Sequence, residues 1–380
     1  LGSRGLGDVY KRQVQGAADM GCQPHQGAGY FPVADKKIQD FYTEKYGAVH
    51  PTKAGLKIPE IFDAAINKEV KGLWIIGEDI VQTDPNSAHV IKAMESLDLL
   101  VVQEIFMSET AKLADVVLPG TTFLEKDGTF TNTERRVQRV NKAAEPLPGT
   151  KPDGVIVTEM MQKLGYDQPT YDADQVLAEV ADVVPFFKGI TRERLGKLGL
   201  QWPVKEDGTD TKILHEKEFK LGKGRLKSFD WKESTEIKNN IKEYPLILTT
   251  SRVLQHYNAA TMTRRTKNLN IVDEDILLVN PIDAKERELN NGDIARLYSG
   301  RGEVSLKVEV TDKVKEGIVF TTFHFPEHMV NMVTGDGKDE ETKCAEYKVS
   351  AVQVQKISNK FKTEISVSYT HLRAHETLEN

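Results

Sequence analysis

Along residues 58–66 the apolar positions fall at helical spacing: Ile58, Ile61, Phe62, Ala65 and Ile66 share a face, with Pro59 suited to a first turn. The pattern then changes. "LWIIG" (73–77) is an unbroken run of apolar residues and glycine that ends in Glu78 and Asp79, with Thr83 and Asp84 close behind. A helix with Val90, Met94 and Leu97 on one face comes next, then a second unbroken run, "LLVVQ" (99–103). A short helix over 108–114 leads to "DVVLPG" (115–120). Apolar runs without alternation, separated by helices, predict an open parallel sheet covered on both faces. This part reads as an α/β layer.

From about 125 to 240 the pattern loosens. "GTFTNTERRVQRV" (128–140) reads as a loop entering a strand, 153–166 as a helix ended by Gly165, and 171–185 as another helix. From Tyr244 onward strands dominate: "YPLILTTSR", "DILLVN", two strands around Gly300–Gly302, "EGIVFTTFHF" and "YKVSAVQVQKI". Asn280 and Pro281 start one small helix between them. Six short strands with one helix predict a closed, mixed β-barrel. The chain therefore divides into an α/β domain at 14–124, a mixed connecting region at 125–240 and a barrel at 241–357. The ends, 1–13 and 367–380, carry no periodicity that continues into their neighbours and resemble translated adaptor sequence. The native stretch reads as about Val14 to about Glu364.

Composition narrows the classes. The chain has 380 residues, 39% hydrophobic and 28% charged, which suits two or three soluble globular domains. A net charge of −6 lacks the basic excess of a nucleic-acid binder. The densest basic run, "KLGKGRLKSFDWK" (220–232), reads as a solvated loop. Cys22 and Cys344 are the two cysteines and lie far apart, so there is no disulfide framework and no CxxC pair for zinc or an iron–sulfur cluster. No apolar run reaches the length of a membrane span. Neither a P-loop, a nucleophile elbow nor a complete GxGxxG is present.

The polar residues at strand ends remain. In an open parallel sheet, ligands sit beyond the carboxyl ends of the strands. Gly77, Glu78, Asp79 and Thr83 lie beyond one such end, and Gln103 and Glu104 beyond the next. A carboxylate can accept both adjacent N–H donors of a guanine edge, and a glycine before it lets backbone approach a ligand. Ordinary turn and capping residues would give the same spacing. "TSRVLQHYNAATMTRR" (250–265) gathers Arg252, His256, Asn258, Arg264 and Arg265 after the first barrel strand, a set that suits a pyrophosphate or a solvated loop. His324 and His328 have a metal-like spacing, but Pro326 intervenes and no third ligand is evident, so no metal site and no catalytic residue is assigned.

Several stretches together resemble one family. "VQGAADMG" (14–21), "GEDIVQTD" (77–84), "LVVQEIFMSETAKLADVVLPG" (100–120), "EKDGTFTNTERRVQRV" (125–140), "HYNAATMTRR" (256–265) and "YKVSAVQV" (347–354) match in order. They resemble the catalytic subunit of molybdenum- or tungsten-dependent formate dehydrogenase, within the dimethyl-sulfoxide-reductase-like molybdopterin oxidoreductases. The resemblance spans Val14 to Ile357. It implies two molybdopterin guanine dinucleotides holding a Mo or W ion, and two-electron oxidation of formate to CO2. It also implies a [4Fe–4S] cluster, iron–sulfur electron-transfer partner subunits and a cytoplasmic location.

Laid on this sequence, the resemblance implies that Gly77, Glu78, Asp79, Thr83, Gln103 and Asp153 hold the guanosine of one dinucleotide, with Asp79 reading the guanine edge. It implies that a double-psi barrel caps both dinucleotides through Arg252, His256, Asn258, Phe323, Asn331, Tyr347 and Lys348. The family's metal ligand (selenocysteine or cysteine followed by histidine), its cluster cysteines and its active-site arginine belong upstream of Val14, and a family cysteine position reads Ala18 here. The stretch thus carries cofactor grip without the chemical centre and should be inactive alone. The alternatives are a nitrate reductase or other molybdopterin oxidoreductase, or a non-catalytic scaffold of the same fold.

Overall fold

The computed structural model describes residues 14–357, save Lys220, Phe229 and Glu341. Both adaptor-like ends and residues 358–364 lie outside the described residues. After helical residues 14–19 and the helix α1 (Lys36–Tyr46), the α/β layer follows in order: α2 (Ile58–Ile66), β1 (Gly72–Ile76), the single turn α3 (Ile80–Thr83), α4 (Ser87–Glu95), β2 (Leu99–Glu104) and β3 (Val116–Pro119). Pro59 stands in the first turn of α2, and the Glu60 carboxylate accepts from Lys57 N–H at 2.9 Å. The three strands are parallel, in the order β1-β2-β3, with Ile76 opposite Gln103 and Gln103 opposite Leu118.

Phe62, Ala65, Ile75, Val90, Met94, Leu100 and Val102 form the core of this layer. It covers one face of the sheet. On the other, Ile76, Leu99 and Val116 stay 49%, 47% and 42% exposed, so the expected covering of both faces is met on one. The strand order explains this: both crossovers step the same way, and right-handed connections that do so lie on the same side. The helix expected over 108–114 is a 3-10 turn, Ala111–Leu113. Asp79 takes the N–H groups of Glu109 and Thr110, which fixes the segment as a bend rather than a helix.

The connecting region holds the antiparallel strands β4 (Gly128–Thr131), β5 (Arg136–Val140) and β6 (Leu200–Gln201), with α5 (Asp153–Lys163) and α6 (Ala173–Val183). "GTFTNTERRVQRV" is therefore a hairpin, two strands instead of one. A core of Val137, Leu177, Val183, Val184, Phe187 and Leu195 also takes in Tyr42, Phe31 and Ile38. Asp19, fully buried, accepts from Tyr30 Oη (2.7 Å), Gln15 Nε2 (2.9 Å) and Trp202 Nε1 (2.8 Å). Residues 15–46 thus pack with 137–204, whereas the α/β core begins at Phe62.

The C-terminal region is a closed six-stranded barrel: β7 (Leu246–Ser251), β8 (Ile276–Val279), β9 (Ile294–Tyr298), β10 (Glu303–Val310), β11 (Ile318–Thr322) and β12 (Ser350–Lys356). Two pairs, β8/β10 and β7/β11, are parallel and the other four antiparallel. Alternate residues point inward, so Leu246, Leu248, Leu277, Val279, Leu297, Leu306 and Val352 fill a dry interior. The short helix α8 (Pro281–Glu286) starts where expected, its cap being Asn280 Oδ1 on Ile282 N–H at 2.9 Å. A further short helix, α7 (Thr235–Asn240), leads into the barrel and is clamped to it by the buried Glu236, which accepts from Arg301 Nη1 (3.0 Å), Arg301 Nη2 (2.6 Å) and Ala351 N–H (3.0 Å).

Candidate cofactor-binding site

The carboxyl ends of β1 and β2 face the loops that follow β7 and β11. Gly77 turns the chain out of β1 at φ +66°, a conformation that favours glycine, and a Cβ there would meet nothing within 4 Å. The turn leaves open space where a ligand can approach backbone. Glu78 is exposed, yet protein closes around it. That enclosure, followed by the charge of Asp79, holds its carboxyl above the ordinary range.

Asp79 points the other way. It is 5% exposed, and its oxygens accept from Thr110 N–H (2.9 Å), Thr110 Oγ1 (2.7 Å) and Glu109 N–H (3.3 Å). As placed, it anchors the bend at 108–113. Thr83 is half-buried, 3.5 Å from Asp84 Oδ2. Asp84 is buried, and desolvation together with the Glu78 charge pushes its carboxyl up to about 7.

Gln103 sits under the same strand end, 1% exposed. Its Nε2 donates to Asp153 Oδ1 at 2.7 Å, and Lys126 pairs with the other Asp153 oxygen. Gln103 Oε1 is buried and has no partner among the described residues. A buried acceptor left without a donor costs free energy, so this site asks for one. Sequence reasoning missed Lys126, which lies inside a matching motif but at no special spacing.

Across the interface, Arg252 donates from Nε to Asn258 Oδ1 (2.9 Å) and lies 5.1 Å from the Phe323 ring centroid. Asn258 itself adopts φ +46°, and its carbonyl accepts from His324 Nδ1 at 2.6 Å. Arg252, Asn258 and Phe323 thus form one platform, with the guanidinium exposed. Lys348 donates to Thr250 O, and burial followed by Arg252 holds its ammonium below the usual range. Burial above all, with the acids Asp84 and Glu78 adding to it, pushes the Tyr347 hydroxyl up.

Two expected residues look inward instead. His256 is 4% exposed, with Nε2 2.7 Å from Val272 O and Nδ1 3.0 Å from Thr263 Oγ1. Both ring nitrogens are used in holding the 256–272 loop. Asn331, 2% exposed, donates to Gln82 O at 2.8 Å. His324 and His328 diverge to separate partners, Asn258 O and Ser305 O. Among the described residues no group of three or more His, Cys, Asp or Glu is placed to hold a metal ion.

The cationic side of the interface continues through Arg264 and Arg265. Arg265 lies 4.0 Å from the Phe106 ring centroid, and Arg264 Nη1 is buried with no partner among the described residues. An unpaired buried guanidinium nitrogen suits an anionic oxygen, and the buried acceptor on Gln103 suits a purine or ribose donor. A nucleotide with a pyrophosphate fits that donor set.

Comparison with known proteins agrees with this chemistry. The Molybdopterin oxidoreductase family model matches residues 10–163, and the Molydopterin dinucleotide binding domain model matches 246–351. The F420-dependent formate dehydrogenase subunit alpha of Methanocaldococcus jannaschii is 43% identical over 357 residues, covering 91% of this chain and 52% of that one. The F420-dependent formate dehydrogenase 2 subunit alpha of Methanococcus maripaludis is 41% identical, with the same coverage of each. The chain spans about half the length of these relatives. Acetylene hydratase from Pelobacter acetylenicus shares the fold with a TM-score of 0.62 at 20% identity, over 80% of this chain and 47% of that one. The chain thus matches a molybdopterin oxidoreductase domain over 10–163 and a molydopterin dinucleotide binding domain over 246–351, and it is similar to these formate dehydrogenase alpha subunits.

Proposed function

We propose that the chain is the cofactor-gripping part of a formate dehydrogenase catalytic subunit, holding the guanosine of one molybdopterin guanine dinucleotide in its α/β layer and capping both dinucleotides with its barrel. The observation that carries this reading is the unpaired, buried Gln103 Oε1 beside the Asp153–Lys126 pair, at a strand end that faces the Arg252–Asn258–Phe323 platform. Gly77, Glu78, Thr83, Gln103 and Asp153 would meet one guanosine, with Asp79 shaping the loop under it. Arg252, Asn258, Phe323, Tyr347 and Lys348 would meet phosphate and pterin, with His256 and Asn331 fixing the loops that carry them. The domain limits 14–124, 125–240 and 241–357 belong to the same reading, with residues 15–46 packed on the core of the connecting region, as does a double-psi barrel, which the two parallel pairs in the closed barrel support.

When bound, the cofactor with its Mo or W ion would supply the two-electron centre that takes formate to CO2. This chain's residues would orient it and neutralise its phosphates. Formate as substrate, a [4Fe–4S] cluster, iron–sulfur partner subunits and a cytoplasmic location follow from kinship with the formate dehydrogenase alpha subunits. No helix among the described residues is long and apolar enough to cross a membrane.

The test is the full-length enzyme, loaded with Mo or W, mixed with formate and an oxidised viologen dye. Formate-dependent dye reduction is expected. Failure with formate, but oxidation of reduced dye by nitrate, would move the substrate to another member of the family. A full-length protein that carries neither dinucleotide nor metal would favour a scaffold.

A further inference from the structure

Gln82 belongs to none of the residue sets above, yet it lies at the centre of the interface. It is 3% exposed, in the turn α3. Its Nε2 donates to two carbonyls of the barrel loops, Ala259 O at 3.2 Å and Phe323 O at 3.3 Å. Its own carbonyl accepts from Asn331 Nδ2 at 2.8 Å. Each partner coincides with, or adjoins, a residue assigned to the cofactor: Ala259 follows Asn258, Phe323 and Asn331 are themselves in the set, and Thr83 follows Gln82. The neighbouring Asn86 N–H to Thr334 Oγ1 contact, at 3.4 Å, runs beside it, and Thr334 Oγ1 in turn lies 3.1 Å from Asn331 Oδ1.

The amide can sit only one way round. Reversed, its oxygen would face two carbonyl oxygens, so both N–H groups must point into the barrel loops. That leaves Oε1 buried and without a partner among the described residues. A side chain present only to fill space would be apolar here, because a half-satisfied buried amide costs more than it returns. What the amide adds is direction: it fixes two barrel loops against the loop at the end of β1.

We infer that Gln82 is a positioning residue, which holds the strand-end loop and the two barrel loops in register for a dinucleotide gripped from both sides. The inference rests on the proposed cofactor reading. It assigns Gln82 no contact with the reacting atoms.

The test uses the full-length enzyme and counts GMP released by acid hydrolysis, before and after prolonged dialysis, in wild type and Gln82→Met. Methionine keeps the length and removes both donors. The Met variant should lose GMP about tenfold or more faster, as expected when two hydrogen bonds that hold the grip are removed. Amide hydrogen exchange over 256–265 and 322–331 should rise in step. Retention equal to wild type, with exchange unchanged, overturns the inference.

If the Met variant does not accumulate, Gln82→Glu serves instead, compared at pH 5 and pH 8. An ionised carboxylate faces two carbonyl oxygens, so GMP loss should grow with pH more steeply in the variant than in wild type, where Asp84 and Glu78 titrate in the same interface. A pH dependence equal to that of wild type overturns the inference. Formate turnover is read in neither arm, so a different substrate leaves the outcome intact. A wild-type enzyme with no GMP removes both this inference and the cofactor reading beneath it.

Discussion

Asp84 shows at the scale of one residue what burying an acid in this interface costs. Its carboxyl, pushed up to about 7 by burial and then by Glu78, is protonated well above its ordinary range. A raised carboxyl stabilises the fold below its unfolded pKa, and that contribution is lost as pH rises through the folded value. The loss therefore runs from near pH 4 to about 7, and at pH 8 amounts to roughly 3–4 kcal/mol. Asp84→Asn should raise the melting temperature of the cofactor-free protein at pH 8 and leave it nearly unchanged at pH 4. Equal effects at both pH values would remove the charge explanation.

Gln103 gives the complementary prediction. Gln103→Leu removes the orphaned acceptor and leaves Asp153 still paired with Lys126. Stability should change by no more than about 1 kcal/mol while GMP retention falls about tenfold. Residue types were legible in the sequence at this scale, but their direction was not. Asp79, His256 and Asn331 are polar residues at the expected places, and each spends hydrogen bonds on the protein's own backbone and hydroxyls. Spacing along a chain does not say which way a side chain turns. Gln82 offered no signal, being one of several polar residues that follow β1.

Among the elements, the long apolar runs were legible because uninterrupted Val, Leu and Ile between turn signals have one common use, a buried strand. Boundaries followed caps where caps exist, as at Asn280 before α8. Short polar segments were not. The turn at 111–113 is set by Asp79 from 31 positions away, and the 128–140 hairpin by pairing of Phe130 with Gln138 across a polar loop. Neither leaves a periodic trace. The clamp on α7 is of the same kind: Glu236, 7% exposed, meets Arg301 across 65 residues. Glu236→Ala leaves the half-buried Arg301 guanidinium with Asp336 at 3.4 Å and the Ala351 N–H without its acceptor, and should cost about 3 kcal/mol in denaturant unfolding, against a smaller loss for Glu236→Gln. A loss under about 1 kcal/mol for the alanine variant would mean the clamp is idle.

On the scale of the whole molecule, the sheet and the barrel were both legible, and the way the pieces assemble was not. The core joining Phe31, Ile38 and Tyr42 to Val137, Leu177 and Phe187 depends on contacts between distant segments. So does the meeting of β1 and β2 with the loops after β7 and β11. That meeting brings Glu78 and Asp84, the Gln103–Asp153–Lys126 group and the Arg252 platform to one interface. Its use as a dinucleotide grip is the central claim, and the most direct measurement is the GMP and metal content of the full-length protein as purified. The account predicts two GMP and one Mo or W per chain, from two dinucleotides on one metal. A folded full-length protein with neither would contradict it.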